Sequence, residues 1–139
     1  MRFWDSSALV PLLVPETDSS VRLAQLRGDS VIAVWWSALV ECESALQRRL
    51  RDGSLSPESG SHARARLADM AAHWHEVSPS AELRKLSIRL LRTHPLRAAD
   101  ALQIAAALTL SAAHGQPLPF LCADQRLLAA AEIEGLACL

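Results

Sequence analysis

The stretch Leu96-Arg97-Ala98-Ala99-Asp100-Ala101-Leu102-Gln103-Ile104-Ala105-Ala106-Ala107-Leu108 constrains the fold more than any other, because it sets one acid in a segment that otherwise reads as buried helix. Ala101, Ile104, Ala105 and Leu108 mark one helical face at i, i+3, i+4 and i+7, and Leu102 and Ala106 fill the other side. A helix that is apolar nearly all round belongs in the middle of a domain. Pro95 suits a first helical turn, which places Asp100 early in the helix, where the dipole favours negative charge, with Gln103 three residues later on the same face. A carboxylate withdrawn from water is costly unless a cation or hydrogen bonds compensate it, so Asp100 predicts a partner.

The flanking sequence supplies the setting. Short apolar or β-branched runs at residues 1–4, 31–34 and 118–123 read as strands, with briefer ones at 76–79 and, as an edge, 135–139. Helices fall between them. Asp5-Ser6-Ser7 caps the first, which Pro15 closes; Thr17 or Asp18 caps the next, which stops at Gly28. Ser37 opens a helix ending at Gly53, Ser56-Pro57 another running to about residue 74, and residues 81–92 an amphipathic one with Leu83, Leu86 and Leu90 inside. The Asp100 helix ends near Gly115, and a last helix follows Asp124. Strands alternating with helices predict an α/β fold in three layers, a mostly parallel sheet of four to five short strands flanked by helices, with function beyond the carboxyl ends of the strands.

Composition agrees. Only 4% of residues are aromatic while 50% are apolar, which favours helix over an all-β sandwich, and 139 residues read as a single domain spanning 1–139. The net charge of -1 points to no partner class, but thirteen of the fourteen basic residues are Arg, suited to phosphate recognition or a reflection of genomic base composition. Cys42, Cys122 and Cys138 lack metal-ligand spacing and read as reduced core thiols of an intracellular protein. Asp5, Pro11 and Pro15 interrupt any signal-peptide core and no apolar run is long enough for a bilayer, so a soluble cytoplasmic protein is expected.

Asp5 ends the first predicted strand, Asp124 a later one, Glu41 lies in the first turn after the second strand, and Asp100 opens its own helix. Four acids at one sheet edge repel one another, and a divalent cation relieves that; oxygen ligands alone favour Mg²⁺ or Mn²⁺ over zinc or copper. Each acid alone is weak evidence, and Asp100 is the hardest to explain as surface. Asp5 and Asp124 suit helix caps, and Glu41 competes with Glu43 for any role, a choice periodicity leaves open.

Asp5-Ser6-Ser7-Ala8-Leu9, Val40-Glu41-Cys42-Glu43-Ser44-Ala45-Leu46, Arg97-Ala98-Ala99-Asp100-Ala101-Leu102-Gln103-Ile104-Ala105 and Ala123-Asp124-Gln125-Arg126-Leu127 resemble, in order and spacing, the motifs of PIN-domain ribonucleases, especially VapC-type toxins of type II toxin–antitoxin modules. The resemblance covers almost the whole chain. It implies a PIN-like fold, a catalytic metal site of Asp5, Glu41, Asp100 and Asp124, and Glu41 rather than Glu43 as its second acid. Ser6 resembles a small hydroxyl residue that assists the first acid, and Cys122 stands where the family commonly has Thr or Ser. Further implications are cleavage of tRNA or rRNA with Mg²⁺ or Mn²⁺, a homodimer, and a cognate antitoxin whose tail lies in a groove by the first helices, with Leu9, Leu12, Leu13, Val21 and Leu26 as candidates; no membrane partner is expected, since no apolar run is long enough to span a bilayer.

RNA brought to an acidic site needs cations nearby, for which Arg97 and the Arg48, Arg49, Arg51 cluster are candidates beside a plainly solvated reading. Trp35-Trp36 suits core packing more than base stacking, and His73 and His75 read as surface. A catalytically degenerate PIN module that binds RNA or protein is the competing class. A phosphoaspartate receiver fits poorly, since the acid expected two residues after Asp5 and a lysine after the late strand are both missing.

Overall fold

The computed structural model describes residues 1–139. In chain order it contains β1 (Arg2–Trp4), α1 (Ser6–Leu13), α2 (Ser19–Gly28), β2 (Ile32–Trp35), α3 (Ala38–Arg51), α4 (Pro57–Ala71), β3 (His75–Val77), α5 (Ala81–Thr93), α6 (Ala98–His114), β4 (Pro119–Leu121), α7 (Gln125–Ile133) and β5 (Ala137–Cys138). The strands form one sheet in the order β3-β2-β1-β4-β5, every pairing parallel.

Alternation along strands this short builds two cores from one sheet. Trp4, Ile32, Val34 and Leu121 face the layer of α1, α3 and α4, where Leu9, Leu46 and Leu67 meet them. Phe3, Ala33, Trp35 and Phe120 face the other layer, packing with Leu83 of α5, Ile104 of α6 and Leu127 of α7. The Phe3 and Phe120 rings, register partners across β1 and β4, stack at 5.8 Å. Helices thus cover both faces of a parallel sheet, the arrangement the alternating pattern predicted.

One local expectation is corrected. Pro95 does not open α6, whose N-cap is Arg97. Instead His94 is extended, at φ -132° and ψ 148°, and serves as the C-cap of α5. A residue before proline is driven out of helical geometry, so Pro95 helps end the preceding helix. At the other end of α6, Gly115 adopts φ 72°, the left-handed stop its position suggested. No helix is long and apolar enough to cross a membrane.

Candidate active site

Because all strands run parallel, their carboxyl ends open on one edge, where α1, α3 and α7 begin as the chain leaves β1, β2 and β4. Helix α6 returns to β4 from this same edge, so four helix N-termini face it, each the positive end of a dipole. Asp5, Glu41, Asp100 and Asp124 occupy those termini, three as or beside caps and Glu41 in the first turn of α3.

Asp5 is the most enclosed, at 6% exposure, and its backbone N–H donates to the Leu121 carbonyl at 2.9 Å. Its Oδ2 accepts the Ser7 N–H at 2.9 Å, the Ser7 hydroxyl, and the Cys122 thiol at 3.6 Å. Oδ1 makes no hydrogen bond within the protein. Burial pushes the Asp5 carboxyl above its ordinary range, the Ser7 bonds pull it back, and the Glu41 charge raises it further. The Cys122 thiol is pushed up to about 12, first by burial and then by Asp5, so it stays protonated beside the carboxylate.

Glu41 is clamped by three donors: Ser6 Oγ at 2.7 Å and Gln103 Nε2 at 2.9 Å on Oε2, and Ser37 Oγ on Oε1. Ser37 therefore spends its hydroxyl on Glu41 and makes no side-chain cap. Glu43 points elsewhere, accepting from Gln47 at 2.7 Å and lining a cleft with Arg64 on α4. Ser6 serves Glu41; the hydroxyl that serves Asp5 belongs to Ser7. Ser7 also accepts the Ala123 N–H at 2.9 Å, tying α1 to the exit of β4. Where the resemblance places a hydroxyl residue, Cys122 Sγ accepts the Asp124 N–H at 3.2 Å.

Asp100 is half-buried, with Oδ2 accepting the Arg97 N–H at 3.2 Å. Asp124 caps α7 through Oδ1, to the N–H groups of Arg126 at 2.8 Å and Leu127 at 3.4 Å. Those bonds, the Arg126 N–H first, hold its carboxyl below the ordinary range. All four acids thus share the edge, with Asp5 held by Ser7, Glu41 by Ser6, Ser37 and Gln103, and Asp100 and Asp124 bonded to their own helix termini. No three acidic, histidine or cysteine side chains stand close enough to share one ion.

The pair nonetheless suits a hard divalent cation. Neither Asp5 nor Glu41, nor Asp100, has a basic side chain in ion-pair range. Asp5 Oδ1 has no donor, and Mg²⁺ characteristically takes one or two carboxylates and fills its remaining positions with water and phosphate oxygens.

Beside the pair lies a cleft of about 470 Å³ that includes Ser6, Glu41, Ser44, Arg48 and Ala99. Arg48 also lines an adjoining cleft of about 490 Å³ with Ser7, Asp52 and Ala123. Of the arginine cluster, Arg49 is engaged by Glu16 and Arg51 ends α3, exposed and outside both clefts. Arg97 is exposed at the α6 N-cap, one turn from Asp100. Leu9 is a core residue; Leu12 and Leu13 are also buried but line a cleft of about 240 Å³ with Ser19, Leu23 and Arg66 beside the first helices, while Val21 is exposed and Leu26 packs at the core margin. Trp35 is buried and Trp36 is 54% exposed. His73 and His75 are exposed.

Two contributors carried little sequence signal. Ser7 was indistinguishable from Ser6 until α1 fixed their directions. Arg22, in a polar-looking helix, is buried, and its Nη2 donates to the Cys122 carbonyl at 2.9 Å, linking α2 to the loop that holds Asp124.

No family model matches the chain, and no curated protein matches it in sequence. Solved structures do. PAE2754 from Pyrobaculum aerophilum superposes with a TM-score of 0.67 at 18% identity, over 99% of this chain and 87% of that one. FitAcB from Neisseria gonorrhoeae gives 0.69 at 14% identity, over 100% and 96%. VapC20 from Mycobacterium tuberculosis, a sarcin–ricin loop cleaving toxin, gives 0.66 at 16% identity, over 94% and 95%. Near-complete superposition at low identity is the mark of a shared fold, and with its five-stranded parallel sheet between two helical layers the chain has the PIN-like fold of these structures.

Proposed function

We propose that the chain is a divalent-metal-dependent endoribonuclease, the toxin of a type II toxin–antitoxin pair, acting on tRNA or rRNA. The observation that carries this reading is the gathering of Asp5 and Glu41, neither with a basic side chain in ion-pair range, at an edge where four helix N-termini converge. Helix N-termini favour phosphate, and an acidic pair favours a cation. A backbone phosphate together with a divalent ion satisfies both.

Mg²⁺ or Mn²⁺ held by Asp5 and Glu41, with Asp100 and Asp124 completing the set directly or through water, would activate a water and offset charge on the phosphate. Ser7 keeps Asp5 Oδ2 occupied and leaves Oδ1 free for coordination. Ser6, Ser37 and Gln103 fix the Glu41 carboxylate, which retains lone pairs to orient or accept a proton from the attacking water. Arg48, facing the cleft beside Glu41 without an acidic partner, suits a neighbouring RNA phosphate, and Arg97 a second one. No nucleophilic side chain is needed. The fold shared with a sarcin–ricin loop cleaving toxin supports RNA as the substrate class. A small antitoxin and a second copy are the proposed partners; Trp36, Leu39 and Val40 supply exposed apolar surface beside the acidic edge.

A binding module without cleavage is the second reading, favoured by the absence of any three-acid cluster. Mapping RNA ends after incubating purified protein with tRNA and rRNA in Mg²⁺ or Mn²⁺ separates the two. Discrete cuts, lost in EDTA and in Asp100→Asn, are expected. Intact RNA in both pools with folded, metal-loaded protein would overturn the nuclease reading in favour of the module.

A further inference from the structure

Gln103 lies in α6, one turn beyond Asp100, and is 1% exposed. Its amide makes one side-chain hydrogen bond in the protein, from Nε2 to Glu41 Oε2 at 2.9 Å. Oε1 is sealed from solvent and has no donor. Turning the amide over would set Oε1 against the Glu41 carboxylate, acceptor against acceptor, so the observed orientation is the one the network permits.

A buried carbonyl oxygen without a donor costs stability. Around it, Ala101, Ile104, Ala105, Ala106 and Ala107 are fully buried and apolar, an environment in which leucine or methionine would occupy a similar volume with nothing left unpaired. The unpaired oxygen is thus a cost that an apolar side chain at this position would not carry. What glutamine supplies is a donor to Glu41 from the opposite side of the site: Ser6 holds the carboxylate from α1 and Ser37 from the start of α3, both by freely rotating hydroxyls. Helix α6, wedged in the second core, gives the third hold a rigid base.

We propose that Gln103 is a positioning residue that orients the Glu41 carboxylate toward its divalent cation, retained against a penalty in fold stability. The inference rests on Glu41 belonging to the metal site proposed above.

Gln103→Leu and Gln103→Met test it through three readouts: thermal melting, Mn²⁺ titration by calorimetry without RNA, and steady-state cleavage. Melting temperatures equal to wild type or higher by about 2–4 °C are expected. Mn²⁺ affinity should fall about tenfold or more, and kcat by a similar factor with KM within about twofold. A folded variant with wild-type Mn²⁺ affinity and kcat would overturn the role. So would loss of melting temperature or failure to fold in both variants, which would make the amide structural, and so would a wild type that binds no Mn²⁺. Because the titration needs no RNA, a wild type that cleaves nothing while its Mn²⁺ affinity depends on Gln103 would sink the nuclease reading and leave this one standing.

Discussion

Asp5 divides two tasks between its two oxygens. Oδ2 caps α1, and Oδ1 is left for an external partner. Enclosing the carboxylate raises its pKa above the ordinary 3.8, chiefly through burial. An acid whose native pKa exceeds its unfolded value binds its proton more tightly when folded. Stability on this account is therefore intact below the unfolded value and declines as pH rises through the native one. Asp5→Asn keeps an oxygen to cap the helix and removes the charge. Melting curves in EDTA should place this variant above wild type at about pH 7, with the gap closing below the unfolded value, while cleavage falls by about a hundredfold or more. A variant less stable than wild type at neutral pH would contradict the burial penalty. A divalent cation at the proposed site would offset this charge.

At the scale of elements, the site is a meeting of helix N-termini, and two of those helices, α1 and α7, are capped by the acids themselves. Asp124 shows the consequence. Asparagine caps about as well as aspartate, so Asp124→Asn should leave urea denaturation near wild type, whereas Asp124→Ala should cost about 1 kcal/mol. Both should lose cleavage, because both lose the charge; an active Asp124→Asn would assign this residue to capping alone. This double duty explains why Asp5 and Asp124 stood out in the sequence at segment starts, and why each also had an ordinary capping explanation. The caps at Asp5, Ser56 and Asp124 were legible for the same reason, since a side chain bonding two or three residues ahead is a local event. Pro95 misled because a proline between two helices can open one or close the other, and the tertiary path decided that it closes α5.

For the whole molecule, residues of α1 and α3 line two adjoining clefts, which under the proposed function would receive the RNA backbone. Arg48 looks along the cleft from Glu41, while Arg49, its neighbour in sequence, points to Glu16 across the α1–α2 loop. Arg48→Ala should raise KM with kcat nearly unchanged and lower the salt dependence of RNA binding by about one phosphate contact, and Arg49→Ala should do so weakly if at all. Equal effects of the two, measured by binding at several salt concentrations, would mean that the backbone follows another path.

The sequence by itself determined the alternation of strands and helices, the burial of α6, and the four acids at segment ends, because periodicity, capping and proline geometry act over a few residues. It could not determine the strand order β3-β2-β1-β4-β5, which depends on pairing between distant segments. Nor could it choose Glu41 over Glu43 on periodicity, Ser7 over Ser6 as the partner of Asp5, or Arg48 over its neighbours. Adjacent residues on a helix differ by about 100° in direction. Which of them meets the site was decided only when α1, α3 and α6 packed from opposite layers onto one sheet edge.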